Sequence, residues 1–132
     1  MNIAEAILSK GADSATAVLH RGEATTYQEL REKTVRIAIG LLDRGHVKGD
    51  RVGILSENSP FFATAYLGII RAGLTAVPFQ TEVTAGTFAE IVSGTGIREV
   101  FVSNRFRKRV QPWAEELGVS QPTLFRWKRQ AR

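Results

Sequence analysis

The stretch from Arg51 to Ser103 constrains the fold of this 132-residue chain more than any other part. It alternates short apolar runs with longer segments whose apolar residues recur at helical spacing. "RVGIL" (51–55), "LTAVPF" (74–79) and "REVFVS" (98–103) read as buried strands. Between the first two, Ser59 can cap a helix start. Pro60 suits its first turn, where the N–H it lacks would be unpaired anyway. That helix carries Phe61, Ala65 and Ile69 and stops at Gly73. Thr84 can cap a second helix through Phe88, Ile91 and Val92. Strand, helix, strand, helix, strand at these lengths predicts two parallel crossovers. Parallel strands are usually buried on both faces, so helices are expected on either side. The expectation is a three-layer α/β fold, with a partial parallel sheet of βαβαβ type and a small helical segment at the carboxyl end.

Upstream, Ile3–Leu8 suits a short amphipathic helix, and "TAVLHRGEATTY" (16–27) reads as two strands around Arg21-Gly22. Thr26 and Glu29 have capping-box spacing, in which side chains satisfy the amides exposed at a helix start. Tyr27, Leu30, Ile37, Ala38, Leu41 and Leu42 then recur at helical intervals, and Gly45 can close that helix.

Composition removes several chemistries. There is no cysteine, which excludes disulfides, thiolate zinc sites and cysteine nucleophiles. His20 and His46 are too few for a histidine-built metal site without carboxylate help. Both read as solvated side chains, His20 on a hairpin edge and His46 in a loop. Phe61, Phe62 and Tyr66 read as helix packing, and Asp50 and Arg51 as the solvent boundary of a strand. "VSGTGI" (92–97) is superficially like a phosphate loop, but such a cradle leads from a strand into a helix. Here the order is reversed, so a helix stop and turn is expected. No residue is assigned a catalytic, cofactor-binding or metal-ligating role. No apolar run reaches membrane-spanning length and the amino end lacks a signal-peptide core, so a soluble, cytoplasmic protein with no membrane partner is expected.

The order of motifs in the front of the chain resembles the amino-terminal part of the adenylate-forming ligases. That superfamily includes acyl-CoA synthetases, the adenylation domains of peptide synthetases, and luciferases. The resemblance rests on "TTYQEL", Gly49-Asp50-Arg51-Val52, Asn58-Ser59-Pro60, Leu67-Gly68 with Arg71-Ala72-Gly73, Val77-Pro78 and "EVFVS". One departure is "PFQTEVT" (78–84), where the family usually has an asparagine or aspartate and often another proline. The resemblance implies activation of a carboxylic acid with ATP and Mg, giving an acyl-adenylate and pyrophosphate, then transfer to a thiol. It also implies that the phosphate-holding loop, the ribose-gripping aspartate and the catalytic lysine lie downstream of the segment present here. The 132-residue chain is therefore expected to be a truncated portion, inactive alone and needing no cofactor of its own. An open sheet edge is expected to favour self-association or contact with the missing ligase portion.

The carboxyl end raises a competing reading. Residues 1–104 hold ten Lys/Arg against eleven Asp/Glu, whereas residues 105–132 hold eight Lys/Arg against Glu115 and Glu116 alone. All the net positive charge therefore sits in the last segment, which divides the chain at 104/105 into a ligase-like body and a basic tail. "AEELGVSQPTLFRWKRQ" (114–130) resembles the helix-turn-helix of small insertion-sequence transposases. Ala114 would allow a close helix crossing and Gly118 the turn. Trp113, Leu117, Val119, Leu124 and Trp127 would pack the two helices together. Ser120 would cap the second, Gln121, Thr123 and Arg126 would face a DNA groove, and Lys128, Arg129 and Arg132 would meet phosphates. Against this, "FRKRVQPWAEELGV" and "PTLFRW" can be the next helix and strand of the ligase domain, provided Pro112 begins that helix. Three functions stay open: a partial acid-activating ligase, a DNA-binding protein acting through the tail, and a ligase/transposase chimera with neither activity.

Overall fold

The structure is a computed structural model that describes residues 2–122. Its elements run α1 (Ile3–Leu8), β1 (Thr16–His20), β2 (Glu23–Thr26), α2 (Tyr27–Asp43), β3 (Arg51–Leu55), α3 (Pro60–Arg71), β4 (Thr75–Pro78), α4 (Ala85–Thr95), β5 (Val100–Val102) and α5 (Arg107–Leu117), with a 3₁₀ turn at Asn104–Phe106 before α5. The three expected strands form one sheet in the order β4-β3-β5, all parallel. β1 and β2 form a separate antiparallel hairpin. Its turn places Arg21 and Gly22 at φ 50° and 81°, the two positive values that match the twist of paired strands.

The sheet is covered on both faces. Val52, Ile54 and Phe101 point to α2 and α3, joining Ile37, Leu41, Ala65 and Ile69. Leu55, Val100 and Val102 point to α4 and α5, joining Phe88, Val92, Val110 and Ala114. Neighbouring strand residues thus serve opposite cores, as the two-residue period of a strand requires. A smaller cluster of Ala4, Leu8, Leu30 and Leu67 holds α1 against the outer side of α2 and α3. No helix among the described residues is long and apolar enough to cross a membrane.

Local signals set the element ends. Thr26 and Glu29 form the expected reciprocal capping box, Ser59 caps α3 with Pro60 at its start, and Thr84 caps α4. Gly96 ends α4 at φ 72°, so "VSGTGI" is a helix stop and turn. α5 differs from expectation. It begins at Arg107, directly after the 3₁₀ turn, and continues through Pro112 instead of starting there. The proline removes one amide from the ladder, but it lies on the exposed side. Burial of Val110 and Ala114 on the opposite side holds the helix together across the gap.

Candidate functional site at the strand ends

The topology itself marks one place for a ligand. From β3 the chain crosses through α3 to β4 on one side, then returns through α4 to β5 on the other. Where successive crossovers diverge in this way, the loops after the strands part and leave a crevice at the carboxyl ends. A crevice of about 540 Å³ opens there, lined by Ser56, Glu57, Asn58, Thr81, Glu82, Arg105, Phe106 and Arg109. Its walls come from the segments that follow β3, β4 and β5.

The crevice is polar and internally braced. The Ser56 hydroxyl lies 2.8 Å from the Glu57 carbonyl oxygen, 3.0 Å from Glu57 Oε1 and 3.3 Å from the Ser59 hydroxyl. Burial raises the Glu57 carboxyl, but the Ser103 and Ser56 hydroxyls, its own amide and the Arg105 guanidinium outweigh it. The group is held below its ordinary value of 4.5. Ser103 Oγ is buried and has no partner in full hydrogen-bond geometry among the described residues. Arg105 stacks on the Phe106 ring at 5.4 Å, and Arg109 lies 5.3 Å from Phe106 and 5.6 Å from Trp113. Arg109 also donates to the Thr81 carbonyl, tying α5 to the loop after β4. Two guanidiniums and the Glu57 and Glu82 carboxylates, beside serine, threonine and asparagine groups, make a polar lining with charges of both signs. An ionised Glu57 is a poor proton donor at neutral pH. The arrangement is a candidate ligand site, and none of its residues was singled out for a site in the sequence. The one signal that could have found them is position: all but Arg109, on the first turn of α5, lie within a few residues of a strand's end.

The opposite end of the sheet carries buried charge. His46 is 5% exposed and Glu99 3%. His46 Nε2 meets Glu99, whose other oxygen pairs with Arg44 Nε. His46 Nδ1 lies 3.4 Å from Asp50 Oδ2 and 3.3 Å from Arg98 Nη2. The expectation of a solvated His46 is therefore wrong: the loop after α2 folds back under β5 to match the carboxylate that begins it. Asp50 sits below its ordinary value of 3.8, chiefly because the Val47 amide donates to it, with His46 and Arg98 adding to the effect. His20 is half-buried on β1, bordering a small cleft with Asn58, Ser59 and Phe62. Phe62 stacks on Tyr66 at 5.9 Å within α3, which agrees with a packing role.

Of the residues proposed to contact DNA, Thr123, Arg126, Lys128 and Arg129 lie outside the described residues, as do Leu124, Trp127 and Arg132. Ser120 makes a parallel bridge to Glu99, donating to the Arg98 carbonyl and accepting from the Val100 amide. The Gln121 carbonyl accepts from Arg107. Trp113 packs on Phe88 at 5.5 Å, beside Ala114 against the sheet. Gly118 and Val119 close α5 through amide bonds to the Glu115 and Ala114 carbonyls.

A three-stranded parallel sheet preceded by a capped helix and a hairpin is a fold shared with known proteins. The family model described as AMP-binding enzyme matches residues 6–127. This chain belongs to that family. It is 32% identical over 121 residues to a 3-hydroxybenzoate–CoA/4-hydroxybenzoate–CoA ligase of Thauera aromatica, covering 89% of this chain and 23% of the relative. It is likewise 32% identical over 106 residues to the fatty acid–[acyl-carrier-protein] ligase ScoC of Streptomyces coeruleorubidus, covering 80% of this chain and 20% of that one. A benzoate CoA ligase from Burkholderia xenovorans LB400 shares the fold with a TM-score of 0.85 at 24% identity, over 96% of this chain and 28% of its own. The chain thus spans about a quarter of the length of the relatives it matches. The ligase resemblance in the sequence motifs is thereby established at the level of the family.

Proposed function

We propose that this chain is the amino-terminal part of an ATP-dependent, AMP-forming acid–thiol ligase. Its strand-end crevice is one wall of that enzyme's ligand site, completed by other parts of a longer ligase. The observation that carries this reading is the crevice itself, at the topological switch point of a chain whose family match runs from residue 6 to 127. Arg105 and Arg109 give that wall donors for the anionic part of a ligand, set against Glu57 and Glu82, and Phe106 gives it an apolar floor. The 132 residues alone form no adenylate. Carboxylate-dependent ATP–pyrophosphate exchange, assayed with a hydroxybenzoate and with a fatty acid, is expected to match a protein-free control. Exchange clearly above that control overturns the proposal.

The tail is read as the next helix and strand of the same domain. Support comes from the parallel bridge of Ser120 to Glu99 and from the continuation of the family match past it. The helix-turn-helix alternative draws on the charge of residues 105–132, yet Arg107 and Arg109 already donate to the backbone carbonyls of Gln121 and Thr81. Slow hydrogen exchange at the Val100 and Ser120 amides is expected for the sheet reading. Duplex DNA binding that weakens steeply with salt and is lost on deleting 105–132 would favour the alternative.

A further inference from the structure

The outer side of α2 presents Val35, Ile39 and Leu42 at 37%, 49% and 49% exposure, and Val47 just beyond the helix at 64%. Spacings of four and three residues place the first three on one stripe of the helix. It lies away from Leu30, Thr34, Ile37, Ala38 and Leu41, which face the cores. Arg36 and Asp43 flank this stripe on the same side, since seven residues is close to two turns, about 10.5 Å along the axis. Neither has an ion pair among the described residues. We propose that this stripe is a self-association surface for a second copy of the chain, packed through antiparallel α2 helices related by a two-fold axis.

The charge pattern selects that occupant. A two-fold axis perpendicular to the plane of two antiparallel helices keeps equivalent flanks on the same side. Centred between Ile39 and Gly40, it sets Arg36 of one copy against Asp43 of the other, and repeats the pair in reverse. The same centring lays Val35 and Leu42 of each copy along the partner's stripe. An unrelated apolar partner has no need of opposite charges two turns apart. This surface is distinct from the edges of the sheet, one of which already receives Ser120 of the same chain. A single helix-on-helix patch falls below the ~1,200 Å² of stable interfaces. The dimer is therefore weak, with a dissociation constant in the micromolar-to-millimolar range.

Sedimentation equilibrium on the full 132-residue chain, at low salt and across concentrations up to about 1 mM, tests this. The average mass is expected to rise from 14.5 kDa toward twice that value. Ile39→Glu, an exposed change that leaves the circular dichroism intact, is expected to weaken dimerisation at least about tenfold. Arg36→Asp alone and Asp43→Arg alone are each expected to weaken it, and the double swap to return it to within about threefold of the parent. A monomer at every concentration overturns the proposal; that is the outcome if the stripe instead seats a segment of a longer ligase. A dimer indifferent to Ile39→Glu, or single swaps that the double swap fails to rescue, overturns it equally.

Discussion

Gly68→Ala sets two known effects against each other at the contact between α2 and α3. In an ordinary helix interior the change stabilises by about 1 kcal/mol, because alanine loses less backbone freedom. Here the added Cβ would lie 2.6 Å from Ile37 Cγ2 and 2.7 Å from Ile37 Cβ. Carbon atoms are in good contact only from about 3.5 Å. Ile37 Cβ is fixed to the backbone of α2, so no rotamer change relieves the overlap, and the two helices must part by roughly 0.8 Å. Inserting a methyl into a packed core costs about 1–3 kcal/mol. The upper end applies, since parting these helices also loosens Leu41, Ala65 and Ile69 in the same cluster. After the helix-propensity gain, a net loss of roughly 2 kcal/mol remains, a fall in Tm of about 7 °C for a chain this size. Urea unfolding followed by circular dichroism, with an unchanged slope, would measure it. The double variant with Ile37→Gly should be less damaged than the two single losses together, because Cβ and Cγ2 are both gone. A rise in stability on Gly68→Ala, which propensity alone would give, refutes the argument that the close approach of α2 and α3 decides the outcome.

Glu99→Ala should cost about 3 kcal/mol or more, because it strands Arg44 and the buried His46 without their carboxylate. The same variant should speed hydrogen exchange at the Ser120 amide, whose acceptor is the adjacent Arg98 carbonyl. Acid should erode stability in a defined direction. Asp50 and Glu57 are held below their ordinary values of 3.8 and 4.5, so the folded state binds those protons less readily than the unfolded chain. Their contribution is complete at neutral pH and is lost as pH falls through and below those values. Asp50→Asn with Glu57→Gln should flatten this part of the stability–pH curve, measured as urea midpoints between pH 6 and about pH 3. Thr26→Ala removes the hydroxyl that accepts from the Glu29 amide and should lower stability by about 1 kcal/mol, read from the urea midpoint.

The elements of the fold were readable in the sequence because each was marked by short-range chemistry. Thr26, Ser59 and Thr84 stand at three of the five helix starts, and Gly73 and Gly96 at two of the stops, as their side chains or lack of them dictate. Unbroken burial along β3 after Arg51 and along β5 followed from parallel strands covered on both faces. Contacts between distant residues were not readable. His46 and Glu99 stand 53 positions apart, and nothing local to a histidine after Gly45 indicates that a carboxylate waits beneath it. The crevice was hidden for the same reason: Ser56, Thr81 and Arg105 are ordinary loop residues until strand order brings them together. α5 shows the reverse ambiguity. Ala114 and Gly118 suit a helix-turn-helix, and they equally suit a helix that packs on a sheet and turns back toward its edge. Spacing alone does not separate these.

The two ends of the sheet are built to opposite purposes. At the amino ends, charge is buried and matched: Glu99 holds His46 and Arg44, and Arg44 reaches on to the Ser120 hydroxyl at 3.1 Å. Buried charge with several partners tolerates few alternative geometries. The end of α2, the start of β5 and the chain after α5 are thereby fixed to one another. At the carboxyl ends, the charged groups of Glu57, Glu82, Arg105 and Arg109 border open space. Arg105 and Arg109 are held in part by ring contacts, and Arg109 also by the Thr81 carbonyl, which limits the freedom they would lose on meeting a ligand. Preordered donors bind more tightly than mobile ones, because less entropy is lost when the ligand arrives. A rigid foot of matched charge beneath a rim of oriented, unspent charge is what a ligand-holding wall requires. On this argument, loosening the Glu99 cluster would weaken the crevice from the far end of the sheet, through the register of β5, without touching any group that lines it.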